Sequence, residues 1–226
     1  MLSKEPAAVL IHGHHLQAPD WETLVWGTEG LGSVGRIPRG IEIAVKEDAQ
    51  LIMWGTGASL DLKTGKKESE YTHDLALSRA SELGRYVGLT ESEVAEMIRS
   101  RSYIQRETTN TKDEVYEALK LCKEKGIHTL YLVSTSTHVP RCLLTACQFQ
   151  DEFPDIVLCG VAASAVTAYW SPKDTVVVEP SHRPDRADVP MQKLAKRLAG
   201  ARKYPERAQR LYDDVAGLLD VFDKEI

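Results

Sequence analysis

Hydroxyl, imidazole and guanidinium groups crowd into one stretch of this chain, Ser134-Thr135-Ser136-Thr137-His138-Val139-Pro140-Arg141. Arginine offers an always-charged planar fork that suits phosphate or carboxylate, and histidine can donate to an anion or move a proton near neutral pH. His138 and Arg141 lie three residues apart, so a single helical turn carries both side chains on neighbouring faces. The plainer reading is that His138 fills a polar position at a helix start and Arg141 pairs with surface acids.

A second cluster is Glu107-Thr108-Thr109-Asn110-Thr111. A carboxylate at the end of a buried strand is costly unless it is paired, hydrogen-bonded or used. Glu107 would therefore orient an arginine (Arg36 or Arg141), bind a ribose hydroxyl, or serve as general base. Asn110 either meets a ligand hydroxyl or anion, or takes the left-handed conformation that loops require. Thr111 reads first as a helix N-cap.

The third group is His12, His14 and His15. On an extended chain His12 and His14 point the same way, and Asp20 or Glu107 could complete a metal site. No further ligand stands at a diagnostic spacing, so no metal ligand is assigned. An acid–base or polar loop role for these histidines, or no direct role, stays open beside the metal-dependent hydrolase reading. The turn Gly55-Thr56-Gly57-Ala58-Ser59 is built of small residues that let backbone amides approach a ligand. Ser59, Ser134 and Ser136 are available nucleophiles beside His138, but the Gly-x-Ser-x-Gly elbow is absent and a serine hydrolase is not expected. The glycine fingerprint of dinucleotide enzymes is also missing directly after the first strand, so neither is a nicotinamide oxidoreductase.

The elements that must hold these groups read as alternating strands and helices. Strands are expected over 7–11, 49–54, 102–106, 129–133, 156–161 and 175–178, where short apolar, partly β-branched runs occur. Helices are expected over 37–48, 70–87, 90–101, 111–126 and 140–149, with capping-box spacing at Thr90/Glu93 and Thr111/Glu114. Residues 16–35 read as a long loop, 61–70 as an exposed polar loop, and further helices are expected over 190–199 and 205–224. Such alternation makes an α/β fold with a mainly parallel sheet the natural solution, and open sheets of this kind bind ligands at the carboxyl ends of their strands. An α/β domain over 1–188 and a helical extension over 189–226 are expected, with His182, Arg183, Asp185 and Arg186 as a charged segment between them.

The 226 residues carry 28 basic and 33 acidic side chains, a net charge of −5, which argues against a nucleic-acid polymer as partner. No secretory leader or membrane-length apolar run is present, so a cytoplasmic protein without a membrane partner is expected. The four cysteines, Cys122, Cys142, Cys147 and Cys159, lack zinc or redox spacing and read as reduced thiols.

Taken in order, Gly13, Arg36, Gly55-Thr56-Gly57, Ser69-Glu70, Glu107…Asn110-Thr111 and Val133-Ser134-Thr135…His138…Arg141 resemble the motifs of the YdcF/SanA/ElyC-like family over roughly residues 7–165. The resemblance implies a Rossmann-like three-layer sandwich, and the similarity of one member to S-adenosylmethionine binders makes that cofactor a further expectation; no general reaction comes with it. It also implies ligand-binding roles for Gly13, Arg36, Glu70, Ser134 and Thr135; His14, from the histidine loop and outside the family's pattern, is a further ligand-binding candidate. The chain departs from the pattern at Asp113-Glu114-Val115, where Glu-Asn-Ala is usual, so an amide that could donate to a ligand is an acid here. Tyr71 also replaces a small residue. The expected function is the binding of, and action on, a phosphorylated or nucleotide-like small molecule. His138, Glu107 or His12 would be catalytic, Arg36 and Arg141 would hold the anion, and Gly55 to Gly57 would supply amides. The alternative is a non-catalytic module for a nucleotide or S-adenosylmethionine.

Overall fold

The computed structural model describes residues 5–18, 21–28, 33–164, 168–170 and 176–178. The chain divides into one unit of residues 1–181 and a second of residues 182–226. The second unit, and with it the expected boundary at 188/189, the helices at 190–199 and 205–224, and His182, Arg183, Asp185 and Arg186, lies outside the described residues.

Five strands form one all-parallel sheet in the order β3-β2-β1-β4-β5. They are β1 (Ala7–Ile11), β2 (Leu51–Trp54), β3 (Ser102–Ile104), β4 (Thr129–Thr135) and β5 (Val157–Ala163). The central strand β1 is buried along its whole length, and its side chains alternate between two cores. Ala7, Val9 and Ile11 join Ile52 and Trp54 of β2 in one core, while Ala8 and Leu10 join Leu51 and Met53 in the other. That parity sets which face each later site residue meets.

Helices cover both faces. On the Val9/Ile11 side lie α1 (Trp21–Trp26), α2 (Arg36–Lys46), α3 (Glu68–Ser78), α4 (Ala80–Val87) and α5 (Glu91–Arg101); on the Ala8/Leu10 side lie α6 (Thr111–Lys125) and α7 (Val139–Cys147). The molecule is thus an α/β, Rossmann-like three-layer sandwich. Its connections run outward from β1 through β2 to β3, then return by α6 to place β4 on β1's other side. The strand order therefore reverses between β1 and β4, and doubly wound sheets bind ligands at the carboxyl ends of the strands where it does.

Local chemistry sets the helix ends. The Thr90 hydroxyl accepts from the Glu93 amide at 3.3 Å, and the Glu93 carboxylate accepts from the Thr90 amide at 2.8 Å, the reciprocal cap expected there. At the start of α6 the cap is one residue earlier than expected: Asn110 accepts from the Lys112 and Asp113 amides at 2.9 and 3.1 Å. Gly126 ends α6 in the left-handed conformation, φ 65°.

Two expectations need correction. The 16–35 loop contains α1, whose Leu24, Val25 and Trp26 are buried; six residues are too few to show a helical period. The helix expected over 70–87 is two helices that part at Arg79, whose guanidinium lies 4.8 Å over the Trp26 ring and reaches Glu22. The strand expected at 175–178 is β7 (Val176–Val178); it pairs antiparallel with β6 (Ala168–Trp170) in a separate two-stranded sheet, outside the parallel one.

Candidate functional site

His12 follows Ile11 directly, so strand parity turns its ring toward α6 and α7. The ring is completely buried. Its Nδ1 lies 3.0 Å from Glu114 Oε2, one turn into α6, and the Gly13 amide donates to the other carboxylate oxygen at 3.4 Å. Gly55 makes room for this arrangement, since any Cβ there would collide with the Glu114 carboxylate. His12 Nε2 is buried and has no hydrogen-bond partner. Burial opposes protonation of His12, but the Cys142 sulfur and the Glu114 carboxylate outweigh it and push the imidazole up to about 10. Beside the Glu114 carboxylate the charged form of the His12 ring is favoured.

The end of β4 obeys the same parity. Ser134 faces α7, where its hydroxyl lies 2.8 Å from His138 Nδ1; Thr135 faces α2 and accepts from Arg36 at 3.5 Å. His138 Nε2 meets the Thr111 hydroxyl at 3.3 Å and Arg141 Nη2 at 2.5 Å. Because a guanidinium only donates, Nε2 must accept, which assigns the ring proton to Nδ1 and its hydrogen bond to Ser134. Arg141 also reaches Thr111 at 3.4 Å, so this hydroxyl serves the site and not the helix cap. The His12 and His138 rings stand edge to face, 5.5 Å between centroids.

Arg36 opens α2 and is fully buried. Its Nη1 donates to the Gly13 and His12 carbonyls and its Nη2 to Thr135, so it ties the β1 loop to the end of β4. Its positive charge stands under the site while these donors are spent on protein.

Beyond β2 the glycine turn is differently employed than expected. The Gly55 amide completes the sheet ladder to Ile11 at 3.0 Å, and the Gly57 amide donates to the Thr108 carbonyl at 2.8 Å, so neither offers itself to a ligand. The Thr56 hydroxyl likewise donates to that carbonyl at 2.8 Å. What reaches the site from here is Glu68, the first residue of α3, with 1% of its surface exposed. Ser59 donates to Glu68 Oε2, while Glu68 Oε1 is buried without a partner against Gly13, where any Cβ would strike it. Burial raises the Glu68 carboxyl to about 7, aided by the Glu114 charge and opposed by Ser59 and Arg36.

The structure thus gathers His12, Gly13, Arg36, Gly55, Thr56, Thr111, Ser134, Thr135, His138 and Arg141 around the carboxyl ends of β1 and β4 and the adjacent end of β2. Other expected residues lie elsewhere or act otherwise. Glu107 is exposed, not at the end of a buried strand beside an arginine, because β3 stops at Ile104. Glu70 accepts from the Lys67 amide at 2.9 Å and from Arg106 at 2.6 Å, a capping and ion-pair role. Asn110 is the α6 cap. His14 takes the Trp21 indole N–H on its carbonyl at 2.8 Å, and His15 is exposed. Asp20 lies outside the described residues, among which no group of three or more His, Cys, Asp or Glu is placed to hold a metal ion.

In the sequence Glu68 and Cys142 carry no site role, and Glu114 is marked only as a cap partner and as the acid in place of an amide. A signal existed: Glu114 lies four and eight residues before the buried Ala118 and Cys122, and Glu68 four and eight before the buried Thr72 and Ala76. An acid on the apolar stripe of a helix is a buried acid. A glycine spacing also precedes α2. Gly30-Leu31-Gly32-Ser33-Val34-Gly35 has the G-x-G-x-x-G form and ends at the N-cap of α2, but α1 separates it from β1, and residues 29–32 lie outside the described residues.

Fold and site define a Rossmann-like α/β protein with a buried, charge-bearing centre at its strand-order reversal. Comparison with protein-family models, curated proteins and solved structures finds no match to this chain. No helix among the described residues is long and apolar enough to cross a membrane.

Proposed function

We propose that this chain is a cytoplasmic, YdcF-like protein that binds, and acts on, a phosphorylated or nucleotide-like small molecule at the carboxyl edge of its sheet. The observation that carries this reading is the convergence of two arginines and two imidazoles on the carboxyl ends of β1 and β4, with the His12 and His138 rings 5.5 Å apart. Arg141 grips the anion, and Arg36 adds charge from beneath. His12, fixed by Glu114, is the better proton carrier, because His138 is engaged at both ring nitrogens and orients Arg141.

The test is turnover of phosphate esters, nucleotides and S-adenosylmethionine by wild type, His12→Gln and His138→Ala. Loss of about 10²-fold or more in the His12 variant is expected, as for removal of a general acid. Unchanged turnover in both variants sinks the assignment. One observation favours the alternative of a non-catalytic nucleotide or S-adenosylmethionine module: both ring nitrogens of His138 are already engaged within the protein. Saturable binding in calorimetry with no product after long incubation would select it.

A further inference from the structure

Buried polar atoms without a hydrogen-bond partner occur in several parts of the described fold. Four of them, His12 Nε2, Glu68 Oε1, Ser69 Oγ and Thr137 Oγ1, belong to segments that follow β1, β2 and β4, the three adjacent central strands. An unsatisfied buried polar atom costs roughly 1–3 kcal/mol, so such a set marks where a ligand or ordered water completes the structure. Glu68 is the one carboxyl among them, and Ser59 and the Thr56 backbone both act on it. Ser59 fills Oε2, and Gly13 supplies the space into which Oε1 projects.

We propose that Glu68 is a ligand-facing residue of this site, which donates its carboxyl proton through Oε1 to an oxygen of the bound anion, so that filling the site takes up a proton. The inference rests on the anion-site reading given above and deepens it: the ligand is one whose oxygens accept from both a neutral carboxyl and cationic groups, as phosphoryl and sulfuryl oxygens do. An ionised Glu68 would repel such a ligand.

The charged groups facing Glu68 make the proton's position consequential. Arg36 of α2 favours the carboxylate and Glu114 of α6 opposes it. Glu114 is in turn neutralised by His12 of the β1 segment. Ser59, from the segment after β2, steadies the ionised form by its hydrogen bond, and on α3 itself Glu70 is paired with Arg106 of the segment after β3. A second anion arriving beside Glu114 shifts this balance toward the protonated acid.

Calorimetric titration with sulfate, whose charge is constant from pH 6 to 9, and with AMP, in two buffers of different protonation enthalpy, tests the proposal. Wild type should bind with a buffer-dependent heat that reports proton uptake, and affinity should fall about tenfold per pH unit once Glu68 is ionised in the free protein. Glu68→Gln should bind sulfate with buffer-independent heat and a flat pH profile. Ser59→Ala, which keeps the carboxyl and removes the hydroxyl that steadies its ionised form, should move the wild-type midpoint to higher pH. Binding by wild type without proton uptake, or an unchanged pH profile in Glu68→Gln, overturns the role of Glu68 and leaves the anion site standing. Absence of binding at every pH overturns both.

Discussion

Two buried carboxylates at this site have opposite fates, and their neighbours decide which. Glu114 stands against an imidazolium, so removing its charge strands a buried cation. Glu114→Gln should cost about 3–5 kcal/mol at pH 7, the range for breaking a buried pair. The sign of its pH dependence follows from His12, raised from 6.5 to about 10: the pair's stabilisation is complete below 6.5 and disappears as pH climbs through 10. The difference between wild type and variant, measured by chemical denaturation at pH 7 and pH 10, should therefore shrink at the higher pH. A gap that stays constant would mean that His12 is neutral. Glu68 behaves oppositely to an ordinary ion-paired acid. Its pKa is raised from 4.5 to about 7, so its contribution to stability is present below 4.5 and lost by 7; Glu68→Gln should gain on wild type across that interval.

The elements set these side chains to within a residue, and glycines let them close in. Gly126 and Gly55 illustrate two different needs. A Cβ at Gly126 meets nothing within 4 Å, so Gly126→Ala should cost only the left-handed backbone penalty, about 1–2 kcal/mol, and leave ligand binding untouched. Gly55→Ala instead drives a methyl into the Glu114 carboxylate and should disturb the His12 pair. Its signature would be a change in the His12 imidazole resonances by NMR, which Gly126→Ala should not show. Asn110→Ala should destabilise by about 1 kcal/mol through its two lost amide bonds. The helix and strand order was readable from apolar runs, capping residues and turn glycines, and so was the group at 134–141. The break at Arg79 and helix α1 were not, because a stacked guanidinium and a six-residue helix leave no periodic trace.

Across the whole molecule, Arg36 joins the outward and returning halves of the sheet by donating to carbonyls after β1 and to the hydroxyl of Thr135 on β4. Arg36→Met keeps the length of the side chain and removes the fork. It should lower stability by more than about 2 kcal/mol, since several hydrogen bonds from a charged group go at once, and weaken anion binding further. A stable variant with unaltered binding would show that the site does not depend on this charge.

The sequence by itself determined the alternation of elements and the parallel sheet, because hydrophobic period and helix caps are local properties of the chain. Only the tertiary structure decided which polar groups are spent and which are left. The Gly57 amide goes to Thr108, Glu107 is left in solvent, and Glu68 and Glu114 are drawn inside. Burial and pairing depend on partners dozens of residues away, so the charge state of the site is a property of the folded whole.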